Sequence, residues 1–288
     1  MNPFELRENV YGIVKRLNFF IKFIEMERER LNLDSASDLH ILDVGCGTGV
    51  NITIPLAARG YSLVGIDSDR PSIELGRYIA REYSTKVEFS DSNLEMDHLA
   101  DSFHCIICSE VLEHLDRPEL LVRQMKSILK NNGLLLVTVP NGYGYFEMES
   151  FIEHLFPKLN PITDKLQKNL IKKLGGEELK VRHELEMTPE YTKFTRTTLS
   201  SGQEHVQRFT EHRIKELLNN EGFSILEFRN RTFLAGNILG NLVRDWDGFL
   251  RWNADGADHL PPWACSGWMI AARRNVNRNR ESHGSLGD

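Results

Sequence analysis

Ile41-Leu42-Asp43-Val44-Gly45-Cys46-Gly47-Thr48-Gly49 is a short apolar strand that runs into a turn with glycine at every second position. Glycine permits positive φ and lacks the Cβ that blocks close approach, so such a turn suits a ligand lying against bare backbone. The strand places the turn at the carboxyl edge of a sheet, where open α/β folds bind ligands. A second apolar strand ends at Gly65-Ile66-Asp67. Asp67 therefore lies about 20 residues beyond the glycines, where a carboxylate can take two ribose hydroxyls. The pair reads as a nucleoside pocket; capping a helix ahead of Pro71 is the alternative role for Asp67.

The spacing narrows the choice of nucleoside. A dinucleotide site carries G-x-G-x-x-G so that a pyrophosphate reaches a helix N-terminus, and a dinucleotide oxidoreductase is disfavoured on that ground. Here the pattern is Asp43-x-Gly45-x-Gly47-x-Gly49, with an acid ahead of the glycines that suits an ammonium. Four more segments follow in order: Gly65-Ile66-Asp67-Ser68-Asp69, Ser90-Asp91-Ser92-Asn93-Leu94, Cys108-Ser109-Glu110-Val111-Leu112-Glu113-His114-Leu115, and Leu134-Leu135-Leu136-Val137-Thr138-Val139-Pro140-Asn141. On these five segments the chain resembles the class I S-adenosylmethionine-dependent methyltransferases. A glycine turn alone is a weak signal; five segments in register are a specific one.

The resemblance implies a Rossmann-like, doubly wound α/β fold with a mostly parallel seven-stranded sheet, and S-adenosyl-L-methionine as cofactor. By the same resemblance Asp43 orients the ammonium through the turn or a water, and Gly45, Gly47 and Gly49 let backbone lie against the methionine part. Asp67 would hold the ribose, Asp91 the adenine amino group, and Asn93 and Leu94 would lie near the ring. Cys46, Ser68, Ser92 and Ser109 fall inside the matched segments and join the cofactor set, although Cys46 also reads as a small residue the turn requires. Asp91-Ser92-Asn93 is ordinary turn chemistry as well. In one departure from many relatives, Phe103-His104 stands where a Phe-Asp pair is usual.

Composition bounds the partners. A chain of 288 residues with 41% hydrophobic residues can bury a sizeable core, in one large domain or two small ones. A net charge of -6 argues against a nucleic-acid surface as the main business and favours a small-molecule methyl acceptor. Glu5, Arg7 and Glu8 come at once at the N-terminus, and no apolar run approaches the roughly 20 residues that a membrane span needs. The expected location is the cytosol. Oligomeric state is left open. Cys105 and Cys108 have redox or zinc spacing, but on a strand residues three apart point to opposite faces, so both read as buried structural thiols.

Along the chain, Val10, Ile13, Val14, Leu17, Phe20, Ile21 and Ile24 recur at helical spacing, which predicts an amphipathic helix from residue 5 to about 30, with residues 1–38 an N-terminal helix and linker. Such a helix either closes over the site or simply covers a sheet edge. Strands are expected at 40–44, 62–66, 86–89, 103–108, 133–139, 223–229 and 267–273, and helices at 49–59, 71–83, 118–130 and 210–221. Gly133 is taken as the stop of the 118–130 helix. Residues 39–141 form the cofactor-binding half, 142–204 an inserted helical cap, 205–273 the rest of the core with a tryptophan-containing insertion at 230–266, and 274–288 a disordered tail.

Methyl transfer from an activated sulfonium needs mainly an aimed nucleophile. Glu110, Glu113 and His114 fall within a single turn, and His114 suits a general base for an oxygen nucleophile because an imidazole titrates near neutrality. Glu-x-x-Glu-His followed by a distal histidine is also similar to the metal site of the small-RNA ribose 2′-O-methyltransferases and the ubiquinone-biosynthesis catechol O-methyltransferases. Here the distal residue would be His205, and the resemblance would have Glu110, Glu113, His114 and His205 hold Mg²⁺ or Mn²⁺. The catalytic candidates are thus His114, Glu110 and His205. His205 can equally serve to dock the cap. The leading function is an O-directed methyltransferase for a glycosyl, quinone-like or secondary-metabolite intermediate; the alternatives are an RNA ribose 2′-O-methyltransferase and an inactive binding protein on the same fold.

Overall fold

A computed structural model describes residues 6–93, 102–144, 205–236, 240, 243 and 246–276. Leu94, residues 145–204 of the expected cap and residues 277–288 of the expected tail lie outside these. The described residues form a seven-stranded sheet of β1 (His40–Val44), β2 (Ser62–Ile66), β3 (Glu88–Ser90), β4 (Phe103–Ser109), β5 (Leu129–Pro140), β6 (Phe223–Asn230) and β7 (Gly267–Arg274). Their order is β3-β2-β1-β4-β5-β7-β6. β7 runs antiparallel to both neighbours, and the pairings from β3 across to β5 are all parallel. The expected Rossmann-like, mostly parallel sheet is the fold observed.

The helices are α1 (Ile13–Arg30), α2 (Thr53–Ala57), α3 (Arg70–Glu82), α4 (Pro118–Ile128), α5 (Glu211–Asn220) and α6 (Asp247–Gly256). They cover both faces of the sheet, which is why its strands read as continuous apolar runs. One core joins Leu42, Ile106, Cys108, Leu135 and Val137 to Leu121, Val122 and Met125 of α4 and Ile214 and Leu218 of α5. The other joins Ile41, Cys105, Ile107, Leu134 and Leu136 to Leu17, Phe20 and Ile24 of α1 and Leu56 of α2. Cys105 and Cys108 thus sit in opposite cores as free thiols, as strand alternation requires.

Several boundaries move, each for a local reason. α1 starts at Ile13 because Gly12 takes a left-handed φ of 68°. α2 spans only Thr53–Ala57, since Gly49 at φ 72° and Ile52 at φ -137° keep the glycine turn open up to it. α4 ends at Ile128 and β5 begins at Leu129, so Gly133 is a strand residue and not a helix stop. The 230–266 insertion contains α6, which sequence periodicity did not reveal, and Val10, Val243 and Leu250 join it to the chain ahead of α1. His104 accepts a hydrogen bond from the His40 N–H at 3.0 Å, at the amino edge of the sheet and away from the glycine turn. No helix among the described residues is long and apolar enough to cross a membrane.

Candidate active site

β1 and β4 lie side by side, and the chain winds outward from them in opposite directions, so their carboxyl ends border the crevice where such sheets bind ligands. The glycine turn leaves β1 there. Gly45 and Cys46 donate their N–H groups to the Ile66 carbonyl at 2.8 and 3.0 Å, which ties the turn to β2. Gly45, Gly47 and Gly49 all have positive φ, at 70°, 55° and 72°. Their surroundings differ. A Cβ on Gly45 would collide with Val111 Cγ2, and one on Gly49 would stand 2.7 Å from Phe89 Cζ, whereas one on Gly47 would meet nothing within 4 Å among the described residues. Two glycines therefore make room for packing, and of the three only Gly47 faces open space among the described residues.

Asp67 sits beneath that space. Its Oδ2 accepts the Gly47 N–H and its Oδ1 the Asp69 N–H, each at 2.8 Å. Each carboxylate oxygen keeps lone-pair capacity for a ligand hydroxyl. Asp69, not Asp67, caps α3, accepting the Ser72 N–H. Ser68 is exposed beside them. Asp43 is buried, with Oδ2 accepting the Thr53 hydroxyl at 2.6 Å. Burial pushes its pKa up to about 7 against the pull of Thr53 and Arg16. On the β3 side, the Ser90 and Ser92 hydroxyls lie 2.7 Å apart, and Asp91 is partly exposed, 3.9 Å from both Arg70 and Arg77. Asn93 ends the described part of this edge.

Beyond β4 the two glutamates separate. Glu110 holds a left-handed φ of 58°. Its Oε1 accepts the Thr138 hydroxyl at 2.8 Å, with Ser109 Oγ 2.9 Å from the same hydroxyl. Its Oε2 forms an ion pair with Arg231, set by proximity without hydrogen-bond alignment of that N–H. Burial raises the Glu110 pKa, but Arg231 and Arg16 outweigh it and hold it down at about 2. Glu113 is the opposite case: its side chain is 1% exposed, and neither carboxylate oxygen has a hydrogen-bond partner among the described residues. Burial first, and then the charge of Glu110, drive its pKa well up.

His205 reaches this place because the strap that carries it is fastened to the same turn. Val206 and Gln207 both donate to the Glu113 carbonyl at 2.9 Å, and Gln207 Nε2 donates to the Asp116 carbonyl at 3.0 Å. The His114 and His205 rings lie 5.1 Å apart. Glu113, His114 and His205 each present one ligand atom within 4.8 Å of the others; Glu110 is not in this group.

Two residues escaped the sequence reading. Arg16 is a buried arginine on α1, and its Nε lacks a hydrogen-bond partner among the described residues. A cation four residues before Phe20, inside an apolar stripe, was its signal. Arg231 follows β6, and no periodicity or spacing marks it.

A family model described as a methyltransferase domain matches residues 19–227. Among curated proteins, the chain is 30% identical over 135 residues to a ubiquinone biosynthesis O-methyltransferase of Rickettsia felis, covering 47% of this chain and 55% of that one. To the Rickettsia conorii protein of the same name it is 33% identical over 118 residues, covering 41% and 40%. The chain thus spans about half the length of the curated relatives it matches. Among solved structures, a magnesium protoporphyrin IX methyltransferase from Synechocystis PCC 6803 with bound SAH superposes at a TM-score of 0.50 and 16% identity, over 91% of this chain and 84% of that one. With the family model spanning most of its length and the seven-stranded fold to match, the chain belongs to the methyltransferase-domain family.

Proposed function

We propose that this chain is an S-adenosylmethionine-dependent methyltransferase that acts on an oxygen of a small molecule. The observation that carries the reading is the open space over Gly47 and Asp67, on the same sheet edge as the Glu113, His114 and His205 group. S-adenosylmethionine supplies a methyl group already activated on a sulfonium. Asp67 offers its carboxylate to the ribose, with Asp91, Ser92 and Asn93 on the adenine side. The Nε of Arg16, without a hydrogen-bond partner among the described residues, fits the cofactor's carboxylate, and Asp43 acts through the turn it underlies. His114 and His205, whose rings lie 5.1 Å apart, would take a proton from the acceptor.

The same group has the donor chemistry for Mg²⁺ or Mn²⁺, one carboxylate and two imidazoles, and the Glu113 oxygens have no hydrogen-bond partner among the described residues. Glu113, His114 and His205 would hold the ion, which would lower the pKa of an acceptor hydroxyl. Residues 142–204 are proposed to carry acceptor specificity, because Gly142, at the start of that region, donates to the carbonyl of Phe209, a few residues past its end, at 2.9 Å. A cytosolic location is part of the proposal, in keeping with four free cysteines.

The test incubates the protein with methyl-labelled cofactor and cell extracts, then identifies the labelled product by mass spectrometry. Oxygen-bound label on a small molecule supports the reading, and cofactor binding without transfer to any acceptor counts against it. Chelation separates two mechanisms: activity lost and restored by Mg²⁺ or Mn²⁺ assigns the metal, whereas indifference to chelator with a rate rising through an imidazole pKa assigns a histidine base.

A further inference from the structure

Arg231 comes directly after β6, at the far edge of the sheet, with β7 and β5 between β6 and β4. Its guanidinium nonetheless reaches Glu110, just past the end of β4. The side chain is 3% exposed, and two glycines make its path. A Cβ on Gly12 would stand 2.9 Å from Arg231 Cγ, and one on Gly267 would stand 3.0 Å from its Nη2. A buried cation is costly unless an anion answers it, and Glu110 is that anion. Thr138 holds the other carboxylate oxygen, and the backbone of Glu110 stands in the left-handed region that side chains other than glycine rarely adopt. Three independent constraints converge on one carboxylate.

Glu113 has none of them. Among the described residues its oxygens lack hydrogen-bond partners, and they lie with His114 and His205 in a group from which Glu110 is absent. We propose that Arg231 is a positioning residue that withdraws Glu110 from the Glu113, His114 and His205 group, so that three protein side chains, not four, face a divalent ion. This rests on the metal reading given above. An octahedral ion such as Mg²⁺ or Mn²⁺ held by three protein atoms keeps positions for acceptor oxygens, and the Glu110 carboxylate, as a fourth protein ligand, would take one of them.

The experiment is a Mn²⁺ titration of the full chain, followed by electron paramagnetic resonance for affinity and water-proton relaxation for the number of waters on the ion. It uses the wild type, Glu110→Gln, Glu113→Gln, Arg231→Met and Arg231→Lys, with circular dichroism as the check of folding. Glu113→Gln should weaken binding about tenfold or more, and Glu110→Gln should leave it within about twofold. Arg231→Met frees Glu110, so Mn²⁺ should bind more tightly and carry fewer waters; adding Glu110→Gln should cancel both changes. Arg231→Lys should stay near wild type because the charge is kept. Equal losses in Glu110→Gln and Glu113→Gln overturn the proposal, and they do so even where Arg231→Met does not fold. Mn²⁺ bound by Arg231→Met but not by wild type would remove the metal reading and keep the positioning role. No binding by either would remove both.

Discussion

At the scale of single residues, the three glycines of one turn do different work. Gly45 and Gly49 lie against Val111 and Phe89, and Gly47 lies against nothing among the described residues. Gly45→Ala should therefore destabilise the empty protein, through about 1–2 kcal/mol of left-handed strain and about 1–3 kcal/mol of overpacking. Gly47→Val carries the strain without the clash, so it should melt near wild type and yet lose S-adenosylmethionine binding. Paired melting curves and calorimetry test this, and equal behaviour of the two variants would contradict it. The sequence made all three look alike, since a repeated glycine says nothing about what each missing Cβ would have touched.

At the scale of elements, the carboxylates at the end of β2 divide between turn and helix. Asp67 binds the N–H groups of Gly47 and Asp69, while Asp69 caps α3. Asp69→Ala should cost about 1 kcal/mol of stability and leave cofactor affinity unchanged. Asp67→Ala should weaken the cofactor by about 1.5–3 kcal/mol, the worth of hydrogen bonds to a charged group. Calorimetry beside urea unfolding separates the two; an affinity loss confined to Asp69→Ala would reverse the assignment. The strap at 205–210 shows what element spacing cannot supply. His205 is 91 positions beyond His114 in the chain, and hydrogen bonds from the strap to the Glu113 and Asp116 carbonyls, with Phe209 anchored in the core, bring it alongside.

At the scale of the whole molecule, the buried acids set a pH dependence. Asp43 has a folded pKa raised to about 7 from 3.8. A group raised in this way contributes stability at low pH that is lost as pH climbs from the unfolded value through the folded one. Glu113 acts in the same direction. Glu110, depressed from 4.5 to about 2, acts oppositely, and its contribution is lost only as pH falls between those values. The urea midpoint should therefore decline from about pH 5 to about pH 7, and Asp43→Asn should flatten part of that decline. A midpoint that rises over this range in wild type would refute the assignment.

The strands, their mostly parallel order and the carboxyl-edge position of the glycine turn and Asp67 were legible in the chain, because apolar runs, glycine turns and the Asp67 spacing are local signals that survive without coordinates. α6 was not legible, since its stability comes from Leu250 packing on Val10 and Val243 as much as from its own periodicity. The Glu-x-x-Glu-His segment put Glu110, Glu113 and His114 within a single turn and treated the two glutamates as equals. Tertiary structure separated them. Arg231, drawn from the far edge of the sheet, ionises one glutamate and leaves the other to the histidines. A charge that arrives from 121 positions away in the chain has no local signature, and burial, which decides whether a carboxylate keeps its proton, exists only once the chain has folded.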